Sequence, residues 1–247
     1  MLKSFAQFIN EDSAPLNFLS DLTTKLIQKI RAFSKKELKY SLFSGMEFRE
    51  PFEFDLKLYV RKDASPDLEN DEHFSELPWE EINFKNDGYT IDAKVRIHKD
   101  SLLIPEISVY LIVDPTKEPH IYRDLFSRLL DILVHETNHI DQISIKRNPF
   151  NVKPSHREER NAAKKSYKYF LLNDEIESMV EGMFARSKNL DVALDHIFDD
   201  YLIPFIQSKY ITLEEYNEVK TVWIKHALEK HPEANFSKKV EKIVNSI

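Results

Sequence analysis

The sequence predicts an α+β fold in which an N-terminal helix and a mostly antiparallel sheet precede a helical half. Apolar and polar residues alternate in several segments between about residues 48 and 114, which is typical of half-buried strands. After Asp114 and Pro115 the apolar spacing becomes helical and stays helical to the C-terminus. The chain has 247 residues, is 42% hydrophobic and contains only 3 glycines. This composition favours a folded, helix-rich protein with a sizeable core.

The N-terminal helix is predicted to begin near Ser13, a residue type that caps helices, with Pro15 in its first turn. Its apolar residues recur at helical spacing, which predicts one buried face. These residues are Leu19, Leu22, Leu26, Ile30 and Phe33.

Strands are predicted where the apolar period is two. The clearest run covers Phe52 to Val60, and Trp79 to Lys85 has a weaker strand pattern. Asn86-Asp87-Gly88 is a hairpin turn signal, and strict alternation follows it from Ile91 to Ile97. Glu106 to Val113 is richer in β-branched residues, as expected for a more buried strand.

Four helices are predicted in the second half. His120 to about Lys146 is the longest and is the predicted central helix. The next begins at Ser155 and Glu158, which have capping-box spacing, and another runs from Asn173 to about Ser187. Thr212 and Glu215 form a second capping-box pair before the last helix.

Composition also argues against several classes of protein. The formal net charge is −7 and basic residues are scattered among acidic ones, so we expect no nucleic-acid partner. No apolar run approaches the roughly 20 residues of a membrane helix, and the N-terminus does not resemble a secretory signal. We therefore expect a cytoplasmic protein without a membrane partner. The chain has no cysteine, so any metal site uses nitrogen and oxygen ligands.

One motif carries chemistry. In His135-Glu136-Thr137-Asn138-His139, the two histidines are four residues apart, which on a helix places them about 40° apart and one turn along the axis. Both imidazoles can then reach one metal ion. Glu136 is offset by about 100° from His135, so it can act on water beside the metal as a general base without binding the metal.

A third metal ligand is expected downstream, because a catalytic zinc ion usually has three protein ligands. The helix after Asn173 carries several carboxylates beside an apolar arc from Ile176 to Phe184. Glu177 lies nearest the middle of that arc, and Glu175 is only about 20° further away. Glu177 is therefore the preferred ligand, with Glu175 as the alternative.

The motif followed 38 residues later by Glu177 on a second helix resembles the gluzincin branch of the zincin metallopeptidases. The resemblance covers about Pro105 to Ser187, and Glu177-Ser178 is similar to the family's pattern of glutamate before a small residue. It implies one zincin-like domain over residues 13–247, with a sheet-rich part at about 48–114 and a helical part at about 118–247. It also implies a zinc-dependent peptidase acting on proteins or peptides.

The same resemblance implies further site residues. Glu181 stands where the family often has an acidic partner for a ligand histidine. Zincins bind an extended peptide at a strand edge, and Glu106 to Val113 is the candidate strand. Gluzincins also use a downstream tyrosine or histidine to stabilise the oxyanion. Four residues qualify, and their spacing does not select among them: His196, Tyr201, Tyr210 and His226.

Gln142 follows His139 by three residues on nearly the same helix face. Two interpretations remain open at this point, because the side chain can line the cleft or simply form hydrogen bonds at the helix end.

Residues 1–12 are interpreted as a separate targeting or docking peptide. The segment Lys3 to Glu11 resembles the capsid-targeting peptide of internal head proteins in large contractile-tailed phages, and Ile9-Asn10-Glu11 has the form of the cleavage sequence in that family. This resemblance implies a location in the host cytoplasm or in the phage capsid interior. It also supports an alternative function, that of a non-catalytic zincin-like virion or interaction protein.

Overall fold

A computed structural model describes residues 14–32, 41–43, 54–62, 88–96, 105–143, 155, 157–164, 166–238 and 240. The first part contains α1 (Ala14–Ala32), β1 (Ser41–Phe43), β2 (Asp55–Lys62), β3 (Tyr89–Arg96) and β4 (Glu106–Val113). The second part contains α2 (Tyr122–Ile143), α3 (Arg157–Ala163), a 3-10 helix (Tyr167–Leu171), α4 (Asn173–Leu190), α5 (Leu194–Gln207) and α6 (Leu213–Lys230). The predicted α+β class is confirmed.

Several sequence predictions lie outside the described residues. They are the peptide of residues 1–12, the helix cap Ser13, the apolar residue Phe33, the strand from Trp79 to Lys85 and the turn residues Asn86 and Asp87.

The chain divides into two compact units, one formed by residues 17–132 and the other by residues 133–247 together with the first 16 residues. The division falls inside α2, between Ile132 and Leu133. The motif helix therefore begins in one unit and ends in the other. The interpretation of residues 13–247 as a single domain stays a prediction.

The first unit contains a four-stranded sheet with the strand order β1-β2-β4-β3. β1 is antiparallel to β2, β4 is antiparallel to β3, and β2 and β4 are parallel, with Asp55 opposite Glu106. Two of these three pairings are antiparallel, as the sequence predicts. Because β4 lies between β2 and β3, Glu106–Val113 is not an edge strand, and its expected role as a peptide-binding edge is wrong.

β4 suits this interior position because five of its eight residues are aliphatic. Ile107, Val109 and Leu111 are fully buried on one face, and Ile112 is buried on the other. A strand covered on both faces loses the polar alternation of a surface strand. In β2 the alternation is retained, since Leu56 and Leu58 are buried while the residues between them are half-buried.

The turn before β3 requires glycine. Gly88 has a φ angle of +76°, which L-residues with a side chain rarely adopt. A Cβ atom at this position would also lie 2.7 Å from the Cβ of Lys117. The Gly88 carbonyl accepts a hydrogen bond from the Asp114 amide at 2.8 Å, which joins the start of β3 to the end of β4.

The predicted apolar face of α1 is confirmed for its four described members. Leu19, Leu26 and Ile30 are fully buried, and Leu22 is almost so. At the end of the helix, the Arg31 guanidinium lies 4.5 Å from the ring centre of Tyr122 in α2.

None of the helices in the described parts of the chain combines the length and the apolar character needed to cross a membrane.

The second unit has a helical core centred on Trp223 in α6. Its indole nitrogen donates to the Phe170 carbonyl at 2.9 Å, and its ring contacts Phe198 in α5 at a centroid distance of 5.5 Å. α4 contributes its apolar arc to this core, which includes Ile176, Val180, Met183 and Phe184. The core therefore fixes the rotation of α4 about its axis.

The predicted helix starts are correct in part. The capping box of Thr212 and Glu215 is present at the start of α6, with both reciprocal hydrogen bonds formed. At the start of α4 the capping position is occupied by Leu172 rather than Asn173. Ser155 uses its hydroxyl and backbone amide to donate to the Asp174 carboxylate, so its side chain links the chain before α3 to α4.

Candidate metal centre

The last two turns of α2 carry the motif histidines side by side. Their Nε2 atoms are 3.1 Å apart, and their rings meet edge to face with centroids 4.6 Å apart. This is the arrangement expected for residues i and i+4, which lie one above the other on a helix. His139 is buried, and the side chain of His135 is 14% exposed.

Glu175 in α4 completes a group of three. Its Oε2 atom lies 3.8 Å from Nε2 of His135 and 3.6 Å from Nε2 of His139. A point within this triangle lies about 2 Å from all three atoms, which is the usual length of zinc bonds to nitrogen and oxygen. The three residues therefore form a group that can hold a metal ion.

The lack of a hydrogen-bond partner for one oxygen of Glu175, among the described residues, supports a metal ion at this position. Its Oε2 atom is buried and has no hydrogen-bond partner within the part of the chain that the structure describes. An unpartnered buried carboxylate oxygen is costly, and buried charges are normally paired or bound to metal. A cation between Oε2 and the two imidazoles satisfies this atom, so the donor set fits a metal.

Arg160 in α3 holds the other oxygen of Glu175. Its guanidinium donates to Oε1 of Glu175 and to the carboxylate of the neighbouring Asp174, forming one ion pair with each. Burial raises the pKa of Glu175, but the close approach of the His139 imidazole and the neighbouring charges outweigh it and lower the pKa to about 2. Glu175 is therefore an anion that presents one free oxygen to the histidines.

His139 responds to the same carboxylate. Burial by itself lowers the pKa of His139, but the close Glu175 carboxylate and the negative charge of Glu136 raise it overall. The negative charge that attracts a proton here also attracts a metal cation.

Glu177, the preferred third ligand, does not join this group. Its Oε2 atom accepts a hydrogen bond from the Gln142 side chain at 3.0 Å, and its Oε1 atom lies 3.8 Å from the Lys230 ammonium. The structure places the alternative residue, Glu175, beside the histidines instead. The pKa of Glu177 is raised overall, mainly by burial, whereas that of Glu175 is lowered overall.

The physical reason is that α4 is buried on two sides. Its apolar arc packs into the Trp223 core, while the opposite face meets α2 through Ser178. On that face Glu175 and Glu177 flank Ser178 on opposite sides, since each residue advances about 100°. The sequence prediction assumed that the apolar arc of α4 faces the histidines, and this assumption is wrong.

Glu181 is also placed differently from the expectation. Its Oε1 atom pairs with Nε2 of His231 at 3.0 Å, and both residues are buried. The ring of His231 stacks on Phe184 with centroids 3.9 Å apart. Glu181 therefore contacts a histidine outside the motif, and it is Gln142 that contacts the motif histidine His139.

Gln142 contacts both helices of the site. Its Oε1 atom lies 2.9 Å from Nδ1 of His139, and its Nε2 atom donates to the Asp174 carbonyl at 3.0 Å. Of the two interpretations from sequence, hydrogen bonding at the helix end is the one observed. Its spacing of three residues from His139 was the available signal, but the partners on α4 were not deducible from sequence.

Glu136 is 8% exposed and lies between the two histidines in the motif. Its negative charge contributes to the raised pKa of His139, so the two side chains are electrostatically coupled. Glu136 is not one of the three residues that converge, which agrees with a role other than metal ligand.

The four oxyanion candidates occupy different environments. The ring of Tyr201 packs in the aromatic core against Phe170, and the Tyr210 hydroxyl donates to the Lys164 carbonyl at 2.9 Å. His196 is exposed on α5, and His226 is half-buried on α6. None of these contacts joins a candidate to the group of His135, His139 and Glu175.

Tyr169 is a residue near the site that the sequence did not indicate. It belongs to the 3-10 helix, and burial together with hydrogen bonding and charge from Glu175 raises its pKa well above the usual range. Its phenol is therefore neutral and lies close enough to feel the charge of the Glu175 carboxylate. No spacing rule pointed to it, because it precedes α4 in a short segment without a motif.

Comparison with known proteins adds no relative. No protein-family model matches this chain, and no curated protein sequence or solved structure matches it either.

Proposed function

We propose that this protein is a zinc-dependent peptidase whose metal is held by His135, His139 and Glu175. The observation that carries the proposal is the convergence of two imidazole nitrogens and one unpartnered carboxylate oxygen at bonding distance from a common point. Two histidines and a glutamate are a known ligand set of catalytic zinc, which keeps its fourth position open. The absence of cysteine is consistent with this choice of ligands.

When bound, a zinc ion supplies a Lewis acid that polarises a carbonyl group and makes water a stronger nucleophile at neutral pH. Glu136 is the general base in this proposal. It takes a proton from the attacking water and delivers it to the amine that leaves. Its position next to His135 on the helix, turned by about 100°, places its carboxylate beside the metal ligands rather than among them.

The choice of peptides as substrates rests on the gluzincin resemblance. The motif of His135, Glu136 and His139 is followed by a glutamate on a second helix, which is the order found in that family. The observed glutamate is Glu175, two residues earlier than the one preferred from sequence. It precedes Ile176 rather than a small residue, so the match to the family pattern is weaker at this position.

Replacing Glu136 with glutamine tests the proposal. We expect the Glu136→Gln variant to bind about one equivalent of zinc and to lose hydrolysis by at least 100-fold, because general-base catalysis typically contributes that much. Zinc content is measured by mass spectrometry of the metal, and hydrolysis on a mixture of unfolded proteins and peptides. Glu214→Gln, at an exposed position in α6, is the matched control and should behave as the unmodified protein.

Two results would contradict the proposal. Full hydrolysis by Glu136→Gln would rule out this glutamate as the base. A wild-type protein that binds no zinc under any condition, yet folds normally, would favour the alternative of a non-catalytic binding protein.

A further inference from the structure

We infer that Gln142 is a positioning residue that keeps the proton of His139 on Nδ1 and leaves its Nε2 lone pair facing Glu175 and His135. The inference deepens the proposed function, since it assigns a residue that prepares the same site for metal. It rests on the hydrogen bonds of one buried amide, which is 1% exposed.

The contacts at one end of the Gln142 amide fix which way the amide points. One end of the amide lies 3.0 Å from the backbone carbonyl of Asp174 and 3.0 Å from a carboxylate oxygen of Glu177. A backbone carbonyl can only accept a hydrogen bond. The NH2 group of Gln142 must therefore be at this end, and its oxygen must be at the other.

The orientation of the Gln142 amide determines which nitrogen of His139 carries the proton. The oxygen of Gln142 lies 2.9 Å from Nδ1 of His139, and an amide oxygen cannot donate. A hydrogen bond at this distance therefore requires a proton on Nδ1. A neutral imidazole carries one proton, so Nε2 of His139 keeps its lone pair.

The opposite orientation of the amide is excluded on the same grounds. Turning it over would place the Gln142 oxygen 3.0 Å from the Asp174 carbonyl, with two acceptors in contact and no proton between them. Buried polar atoms without partners cost about 1–3 kcal/mol each, so this arrangement is disfavoured.

Ser178 is the one competitor for Nδ1 that the structure shows. Its hydroxyl oxygen lies 3.2 Å from Nδ1, further than the Gln142 oxygen, and it already accepts hydrogen bonds from the Asn138 amide at 3.0 Å and from the Gln142 amide at 3.2 Å. A hydroxyl oxygen has two lone pairs, and these two donors occupy them. The proton on Nδ1 therefore bonds to the nearer Gln142 oxygen.

Glu177 has a role in this arrangement although it is not near the metal group. Its carboxylate is the second acceptor for the Gln142 amide, and Lys230 lies 3.8 Å from its other oxygen. Three acceptors on α4, from Asp174, Glu177 and Ser178, thus hold the amide of a residue on α2. The same contacts that exclude Glu177 from the metal group orient the histidine that belongs to it.

The tautomer of His139 in the zinc-free protein provides the test. We would label the protein with ¹⁵N and record the imidazole spectrum at about pH 9, above the usual imidazole pKa. The wild-type protein should show a proton on Nδ1 of His139. In Gln142→Met, which removes the acceptor at similar volume, the proton should be distributed over both nitrogens or move to Nε2.

The double variant Gln142→Glu/Glu177→Gln is the conservative variant. Its carboxylate at position 142 still accepts from Nδ1, and the amide introduced at position 177 can donate to the other carboxylate oxygen, so the tautomer of His139 should be retained. A merely structural role would not separate this variant from Gln142→Met. Exposed His196 serves as the control in the same spectra and should not change. Zinc affinity, measured by competition with a chelating dye, should fall roughly 10- to 100-fold in Gln142→Met, as for other residues that orient metal ligands.

Two outcomes would overturn the inference, and a third would overturn only the proposed function. A wild-type proton on Nε2 of His139 contradicts it directly, even if a variant fails to fold. An unchanged tautomer in folded Gln142→Met also contradicts it. A wild-type proton on Nδ1 in a protein that never binds zinc would instead refute the proposed function and leave the role of Gln142 intact.

Discussion

α4 carries two buried histidine–glutamate contacts that differ in one decisive respect. Near the start of α4, Glu175 faces two imidazoles of α2. Further along the same helix, Glu181 faces the single imidazole of His231. Both glutamates keep one carboxylate oxygen without a hydrogen-bond partner among the described residues. An unpartnered oxygen alone therefore does not identify a metal site.

Convergence and access distinguish the two places. At Glu175 three ligand atoms lie within 3.8 Å of one another, and one of the histidine side chains is 14% exposed. At Glu181 the ring of His231 is fully buried and stacked on Phe184, so the contact resembles a core interaction. We expect mutations at the first place to affect metal binding and mutations at the second to affect stability.

The largest effect is expected for His139→Ala. Structural zinc sites with four ligands bind with about 10–16 kcal/mol, so losing one ligand should weaken binding on the order of 1,000-fold. Zinc affinity is measured by dye competition at constant pH. His196→Ala removes an exposed histidine and should bind as the wild type does. Unchanged affinity in His139→Ala would remove this residue from the site.

His231→Ala tests the second place. Removing the imidazole leaves the buried Glu181 carboxyl group without its hydrogen-bond partner, which typically costs about 1–3 kcal/mol, and the stacking on Phe184 is lost as well. Urea unfolding in the presence of chelator should show this loss of unfolding free energy. If the protein remains folded, its zinc stoichiometry should be unchanged. Loss of zinc binding at full stability would reverse the distinction between the two places.

Arg160→Met tests how the first place is stabilised without metal. Arg160 is shared by Asp174 and Glu175, and its side chain is 27% exposed. We expect the metal-free variant to lose about 2 kcal/mol of unfolding free energy, less than a fully buried pair because solvent screens the guanidinium. Zinc should stabilise the variant more than it stabilises the wild type, since the metal compensates Glu175. Lys164→Met, at an exposed position after α3, is the control.

Thr212→Ala should have the smallest effect and influences only α6, the helix that leads to His231. The threonine hydroxyl accepts from the Glu215 amide at 3.2 Å, and losing such a cap costs about 1 kcal/mol. Thermal unfolding measures the change, with zinc affinity expected to stay constant. Thr221→Ala lies in the interior of the same helix and should change stability by less than Thr212→Ala. Equal losses in both variants would show that the cap contributes nothing.

The sequence predicted the elements of the site better than their rotation. The motif required only that α2 be a helix, because positions i and i+4 then meet without further information. Choosing between Glu175 and Glu177 required the rotation of α4, and the apolar arc gave the direction of the Trp223 core instead of the direction of α2. Periodicity shows which face is apolar, but it does not show where a helix buried on two sides meets a polar partner.

Contacts between distant residues were beyond the sequence for a related reason. Gln142 meets Asp174 and Glu177 across more than 30 residues, and Arg160 meets Glu175 across 15. Such pairs depend on how helices pack, which no local pattern specifies. In contrast, the capping box of Thr212 and Glu215 is local and was predicted correctly.

The sulfur-free donor set of this site has a practical consequence for spectroscopy. Cobalt(II) occupies similar nitrogen and oxygen sites to zinc and binds somewhat more weakly in the usual order of divalent metals. Because the chain has no cysteine, a cobalt derivative would lack thiolate charge-transfer absorption. Its visible bands would then report the coordination number and geometry of the metal without overlap from thiolate absorption, and a change on adding a peptide would indicate ligand entry at the metal.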